Sequence, residues 1–164
     1  MGKGKFLNSK EIKKITEYLT YQFGISFGKD YAYLENSKGK IFLINKEIAD
    51  LDLAKLRTDR FGLYVCERRL NNFRISMQGA QLLAEMAKKS NLKLKNVITL
   101  TKDETIKYFS GEDLSRFEEG KHQVIVVYNE DVIGAATLKD GQLHNFMPKI
   151  FRGTVIVWNS LNNT

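Results

Sequence analysis

The sequence predicts an α+β protein in two parts: a small mixed α/β N-terminal domain with antiparallel strands, then a C-terminal β pseudo-barrel. Three observations lead there. Residues 10–21 and 76–89 carry apolar side chains at spacings of three and four, the stripe of a half-buried helix, and they bracket aromatic-rich alternating segments. From Gln123 to Trp158, short β-branched runs alternate with tight turn signals, as in a small barrel. Between these regions, Ser90–Asn96 is polar and rich in lysine. It lacks Gly and Pro, so it reads as a tight junction rather than a flexible linker. The boundary is placed near residue 92, giving domains 1–92 and 93–164.

Residues 1–8 are small, basic and aperiodic, and are expected to fray. Ser9 is the expected N-cap of a helix over 10–21, with Ile12, Ile15, Tyr18 and Leu19 on its apolar stripe. Gly24 suits the left-handed position that ends it. In the extended segment that follows, Tyr31 and Tyr33 share one face, and Ala32 and Leu34 the other. Residues 37–40 form a hairpin loop and 41–44 return. Asn45 caps a short helix to about Asp50. Residues 55–57 begin another extended piece, and 59–62 turn the chain. Gly62–Arg68 is a strand, and Phe73–Ile75 pairs back beyond a turn at Asn71-Asn72. Ser76 caps a helix to Lys89, whose stripe is Met77, Ala80, Leu83, Ala84 and Ala87.

In the second part, Val97–Leu100 is a short strand. Thr101 with Glu104 makes a capping box for a helix to Phe109. Ser110 is expected to cap a further turn, with Glu112 and Asp113 at its positive end. A polar link, Ser115–His122, feeds the strand Gln123–Tyr128. Residues 129–131 turn into the strand Val132–Leu138, where Gly134 marks a bulge or a close backbone approach. Asp140-Gly141 suits a type I′ turn, whose two central residues have positive φ. Gln142–Phe146 is the next strand. Pro148 then ends the ladder, having no N–H to donate, and Thr154–Trp158 closes the set.

Hydrophobic residues make up 43% of the 164, with 10 Phe and 7 Tyr, enough to build cores. A single Pro and 12 Gly argue against disorder. The single cysteine, Cys66, excludes an internal disulfide and a cysteine-rich zinc site; it points to a reducing, cytoplasmic setting. No apolar run approaches the roughly 18 residues of a membrane span, and the N-terminus lacks the apolar core of a secretory signal. The net charge is +7. It is uneven: residues 1–95 carry nineteen Lys and Arg against ten Asp and Glu, and residues 96–164 carry seven against nine. A basic chain of this kind favours a polyanionic partner through counterion release.

No phosphate-binding loop or Rossmann glycine pattern occurs. Gly24–Gly28 spells Gly-x-Ser-x-Gly, but without the strand–turn–helix setting that exposes a nucleophile. His122 and His144 are the only histidines, and neither has metal-ligand spacing to a partner. Catalytic residues, a metal and a cofactor are therefore not expected. Cys66, mid-strand, reads as a small buried hydrophobe. The positive groups fall into three sets. Lys139, His144, Lys149 and Arg152 can gather at one groove, with Asn145 offering hydrogen bonds to base edges or sugars. There Phe146 and Phe151 either stack on bases or fill the core. Arg68, Arg69 and Arg74 can contact phosphates or form a solvated rim. Lys88, Lys89, Lys93 and Lys95 can track a backbone, dock a partner or merely solvate a helix end.

The stretch Ile133-Gly134, the turn at Gly141, Leu143-His144-Asn145, and Pro148-Lys149 with Arg152, preceded by Tyr108–Leu114, resembles a PUA domain. It is most similar to the tail shared by the NOP2/Sun RNA cytosine methyltransferases and the Nip7-type ribosome-biogenesis proteins. Thr137 and His144 stand where those tails carry lysine, and Ile150 where they carry glycine, which lowers the local positive charge. The N-terminal half is similar to the domain that precedes PUA in Nip7-like proteins. The resemblance implies a PUA-like pseudo-barrel that binds rRNA or tRNA, and an N-terminal domain for protein contacts or more RNA. It implies no methyl transfer, because the catalytic domain has no counterpart here. The expected function is a non-catalytic RNA-binding accessory factor in ribosome biogenesis, rRNA processing or RNA modification. The alternative is a protein-interaction module of such an assembly that binds RNA weakly.

Overall fold

The computed structural model describes residues 4–49, 62–116, 120–147 and 149. The chain forms two compact units, Met1–Lys95 and Asn96–Thr164; the sequence places the break a few residues earlier, at 92–93. The first unit runs β1 Lys5–Phe6, α1 Ser9–Phe23, β2 Tyr31–Glu35, β3 Lys40–Asn45, α2 Lys46–Ala49, β4 Leu63–Arg68, β5 Phe73–Ile75 and α3 Met77–Lys89. Its five strands form an antiparallel sheet in sequence order.

The N-terminus corrects the sequence reading twice. Lys5 and Phe6 pair with Glu35 and Leu34 as an edge strand rather than fraying. The cap of α1 is Asn8, not Ser9: its side-chain oxygen accepts the Glu11 N–H at 2.9 Å, and the Glu11 carboxylate accepts the Asn8 N–H at 3.0 Å. Lys5 also donates to Glu11 at 2.8 Å, and these bonds hold that carboxyl below its ordinary pKa. The helix ends as expected at Gly24, in the left-handed region at φ 84°. Ile15, Leu19 and Phe23 are fully buried, and the Tyr18 ring meets the edge of Phe73.

Tyr33, Leu34 and all of Ile41–Ile44 are buried, so both faces of the central strands are covered. Asn45 accepts the Glu47 N–H at 3.0 Å and so starts α2 as predicted. Ser76 caps α3 through the Gly79 N–H at 2.9 Å and donates its hydroxyl to the Tyr64 carbonyl at 2.7 Å. Gly79 is required there, because a β-carbon would collide with the Val65 carbonyl oxygen. Beyond α3, Asn91 takes a positive φ of 54°. The Leu92 N–H reaches back to the Ala87 carbonyl at 2.9 Å and the Asn91 N–H to that of Lys88 at 3.3 Å. These are the paired bonds of a Schellman ending. The Lys95 N–H then donates to the Phe23 carbonyl at 2.9 Å, so the lysine-rich stretch is pinned to the end of α1.

The second unit runs β6 Val97–Thr99, α4 Lys102–Phe109, β7 Leu114–Ser115, β8 His122–Tyr128, β9 Asp131–Lys139 and β10 Gln142–Asn145. The sheet order is β6-β8-β9-β10-β7, with β6 parallel to β8 and the other pairs antiparallel. The sheet is curled and partly barrel-like. Thr101 and Glu104 form the expected capping box. Ser110 does not cap a further turn. It is the C-cap of α4, and Gly111 at φ 86° sends the chain into β7. Asn129-Glu130 and Asp140-Gly141 are two-residue turns with positive φ at both positions, the type I′ requirement. Val126 pairs with Gly134 and Val127 with Val132, which leaves Ile133 as the extra residue of a bulge. Val124, Ile125, Val126, Leu138, Leu143 and Tyr108 are buried and form the core. The expected segments at 55–61, Pro148 and 154–158 lie outside the described residues.

Candidate nucleic-acid interface

The β9–β10 hairpin positions the C-terminal set. Directly paired residues of an antiparallel ladder share a face. Lys139 pairs with Gln142, and His144 with Thr137, so Lys139 and His144 stand on one face two residues apart. The Lys139 ammonium lies 3.9 Å from the Asp140 carboxylate and is about half exposed. The His144 ring is fixed by Asp113, whose Oδ2 lies 3.1 Å from Nδ1. That leaves Nε2 for a ligand, as acceptor when the ring is neutral and donor when it is protonated. Asp113 accepts the Asn145 N–H through its other oxygen at 2.8 Å.

Asn145 faces the opposite way and acts as a clamp. Its amide nitrogen donates to the Tyr108 carbonyl and, at 3.1 Å, to the Glu112 carbonyl; its oxygen accepts the Met147 N–H at 2.7 Å. One acceptor site on that oxygen is left for anything else. Lys149 is exposed, and Phe146 partly so. Arg152 and Phe151 lie outside the described residues. The sequence reading missed Asp113 and the Tyr108 and Glu112 carbonyls as the frame of this site. The only signal for them was the Tyr108–Leu114 segment of the family resemblance.

The N-terminal cations divide by type. Arg68 grips Glu35 with Nε to Oε1 at 2.7 Å and Nη2 to Oε2 at 3.0 Å, and its guanidinium lies 5.3 Å from the Phe73 ring centre. These bonds raise the already high pKa of the guanidinium. Arg74 and Arg69 converge on a single oxygen of Glu67, at 2.7 and 3.3 Å. Lys89 pairs with Glu85 at 3.0 Å. Among the described residues, Lys88, Lys93 and Lys95 are exposed and have no ion-pair partner.

Cys66 is fully buried, and burial pushes its thiol up to about 12, so it is no nucleophile at neutral pH. Ser26 of the Gly-x-Ser-x-Gly spelling accepts the Gly28 N–H at 3.3 Å in the link from α1 to β2, a helix-to-strand order opposite to the strand–turn–helix that exposes a nucleophile. Among the described residues, no group of three or more His, Cys, Asp or Glu gathers to hold a metal, and no helix is long and apolar enough to cross a membrane.

Residues 95–152 match the family described as the methyltransferase RsmF PUA domain. The C-terminal unit therefore carries a PUA-like domain, a fold generally used to bind RNA and typically not catalytic. Over 93% of its length the chain also superposes on 99% of a hypothetical protein, PH0734.1, from the hyperthermophilic archaeon Pyrococcus horikoshii OT3, with a TM-score of 0.55 and 15% identity. At that identity the likeness is one of fold. No curated protein matches the sequence significantly.

Proposed function

We propose that the protein is a non-catalytic RNA-binding accessory factor, acting in the cytoplasm on rRNA or tRNA during ribosome biogenesis, rRNA processing or RNA modification, in the manner of the Nip7-type proteins. The observation that carries the reading is the PUA match over 95–152, on whose β9–β10 hairpin Lys139 and His144 share a face. In this reading, Lys139, Lys149 and Arg152 neutralise phosphates. His144, oriented by Asp113, offers Nε2 to a sugar, phosphate or base edge. Asn145, on β10, holds the link between α4 and β7 in shape, and the hydrogen bonds of its amide support that positioning role more than direct contact.

The test is titration of the full chain with a fluorescein-labelled rRNA or tRNA fragment at several salt concentrations. About five phosphate contacts should give a slope of log affinity on log salt of roughly −3.5 to −4.5. Lys149→Ala with Arg152→Ala should weaken binding. A flat salt dependence would remove the backbone-contact mechanism. A second reading, a protein-interaction module of the same kind of assembly, is favoured by one observation: residues 96–164 carry nine acids against seven Lys and Arg. It predicts weak RNA binding that those substitutions leave unchanged.

A further inference from the structure

We propose a second RNA-contacting surface on the first unit, where the segment leaving α3 lies on the end of α1: Lys88, Lys93 and Lys95 engage phosphates and Tyr21 stacks on an unpaired base. It rests on the reading that the chain binds RNA, and adds a site and a mode, single-stranded RNA held by stacking.

The placement comes from the backbone. The Schellman ending at Asn91 turns the chain out of α3, and the Lys95 N–H to Phe23 carbonyl bond lays it on the last turn of α1. The Lys93 carbonyl and the Lys95 side-chain stem lie within 3.5 Å of where a β-carbon on Gly24 would sit. Tyr21 is one helical turn before Gly24 and is 82% exposed, whereas Tyr33 and Tyr108 are buried. Leu92, at the turn itself, is 52% exposed. Tyr21 thus leaves a ring in water three residues before Gly24, which Lys93 and Lys95 flank, and an exposed ring combined with lysines is what sequence-tolerant single-strand binding uses.

Charge favours this end of the unit over the arginine end. Arg68, Arg69 and Arg74 are each held by a carboxylate, whereas Lys88, Lys93 and Lys95 have no ion-pair partner among the described residues. The acids Glu17 of α1 and Glu85 of α3 already have their own cations, Lys13 at 3.7 Å and Lys89 at 3.0 Å. The backbone under the lysines is fixed by hydrogen bonds, so little ordering is left to do when a strand binds. The competing account is that the lysines only complement the negative end of the α1 dipole. That account makes them a stability feature with no effect on RNA.

The experiment uses the full chain and a fluorescein-labelled twelve-nucleotide oligouridine. The triple variant Lys88→Ala, Lys93→Ala, Lys95→Ala should weaken binding and reduce the magnitude of the salt slope by about 2, roughly 0.7 for each phosphate no longer neutralised. Tyr21→Ala should weaken binding about tenfold with the slope unchanged, and Tyr21→Phe should bind like the parent, because a phenyl ring still stacks. If Lys149→Ala with Arg152→Ala weakens binding but the triple and Tyr21 variants do not, the second surface is overturned and the RNA reading stands. If the parent chain binds no RNA at any salt, both fall.

Discussion

The hydroxyl of Tyr108 fills the space that a side chain at position 134 would need. A β-carbon on Gly134 would collide with that oxygen, which donates at 3.0 Å to the Ala135 carbonyl. The glycine is thus a matter of close approach and not of backbone freedom, since the positive-φ glycines do not include it. Gly134→Ala should destabilise the chain by about 2 kcal/mol, and Tyr108→Phe by about 1 kcal/mol through loss of the hydrogen bond. The double variant should cost less than the sum, because removing the hydroxyl relieves the collision. Urea denaturation of the four chains measures this, and strict additivity would contradict the packing account.

Asn145 ties Tyr108, Glu112 and Met147 together. Asn145→Ala removes three hydrogen bonds, two of them to carbonyls, and although the Tyr108 carbonyl keeps the Gly111 N–H at 3.0 Å, the change should cost about 2 kcal/mol. Asn145→Asp should be no better, because a carboxylate cannot donate to those carbonyls. Thermal melts check this. A variant as stable as the parent would return Asn145 to the role of ligand contact.

The Arg68–Glu35 pair should respond asymmetrically. The Glu35 side chain is 9% exposed and that of Arg68 is 36% exposed. Arg68→Ala strands a nearly buried carboxylate and should cost about 2–3 kcal/mol, while Glu35→Gln releases an arginine that can reach water and should cost less. Replacing both by Leu and Met should recover part of the loss. Chemical denaturation orders the variants.

Alkaline pH should unfold the first unit. Burial pushes the Cys66 thiol up to about 12 from 9.0 and the Tyr64 phenol up to about 12 from 10.0. Burial likewise raises Tyr33. Each folded value lies above the unfolded one, so the unfolded chain releases protons that the folded chain keeps. The contribution is fully present below about pH 9 and is lost as pH rises towards 12. Urea midpoints at pH 8, 9.5 and 10.5 should fall in that order, and Cys66 should resist thiol reagents until the chain unfolds.

What the sequence disclosed is local chemistry. Thr101 with Glu104, Ser76, Gly24 and the Asp140-Gly141 turn act within four residues of themselves, and each does as its residue type predicts. Adjacent candidates blur such signals: Asn8 and Ser9 can both cap, and the pairing of β1 with β2 selects Asn8 by holding the chain extended up to it. Long-range partners leave no local mark. Glu35 and Arg68 are 33 residues apart, and Asn145 and the Tyr108 carbonyl 37. For that reason the motif brought out Asn145 but not what its amide holds, and the three arginines read as free cations. The burial of both faces of β3 was hidden for the same reason, since alternation describes one strand and not what covers it.

The order of strands in the second unit has a consequence for how it folds. β8, β9 and β10 are joined by two-residue turns and can zip locally within microseconds to milliseconds. Both flanking strands come from one earlier stretch: β6 joins at Val97–Ile125 and β7 at Leu114–Leu143. Residues 97–115 therefore behave as a strap whose two ends clamp opposite sides of a preformed meander, with α4 and its Tyr108 as the buckle at Gly134. Pulse-labelled hydrogen exchange should protect β8–β10 first and β6 and β7 together afterwards, since each clamp needs the same long loop to close.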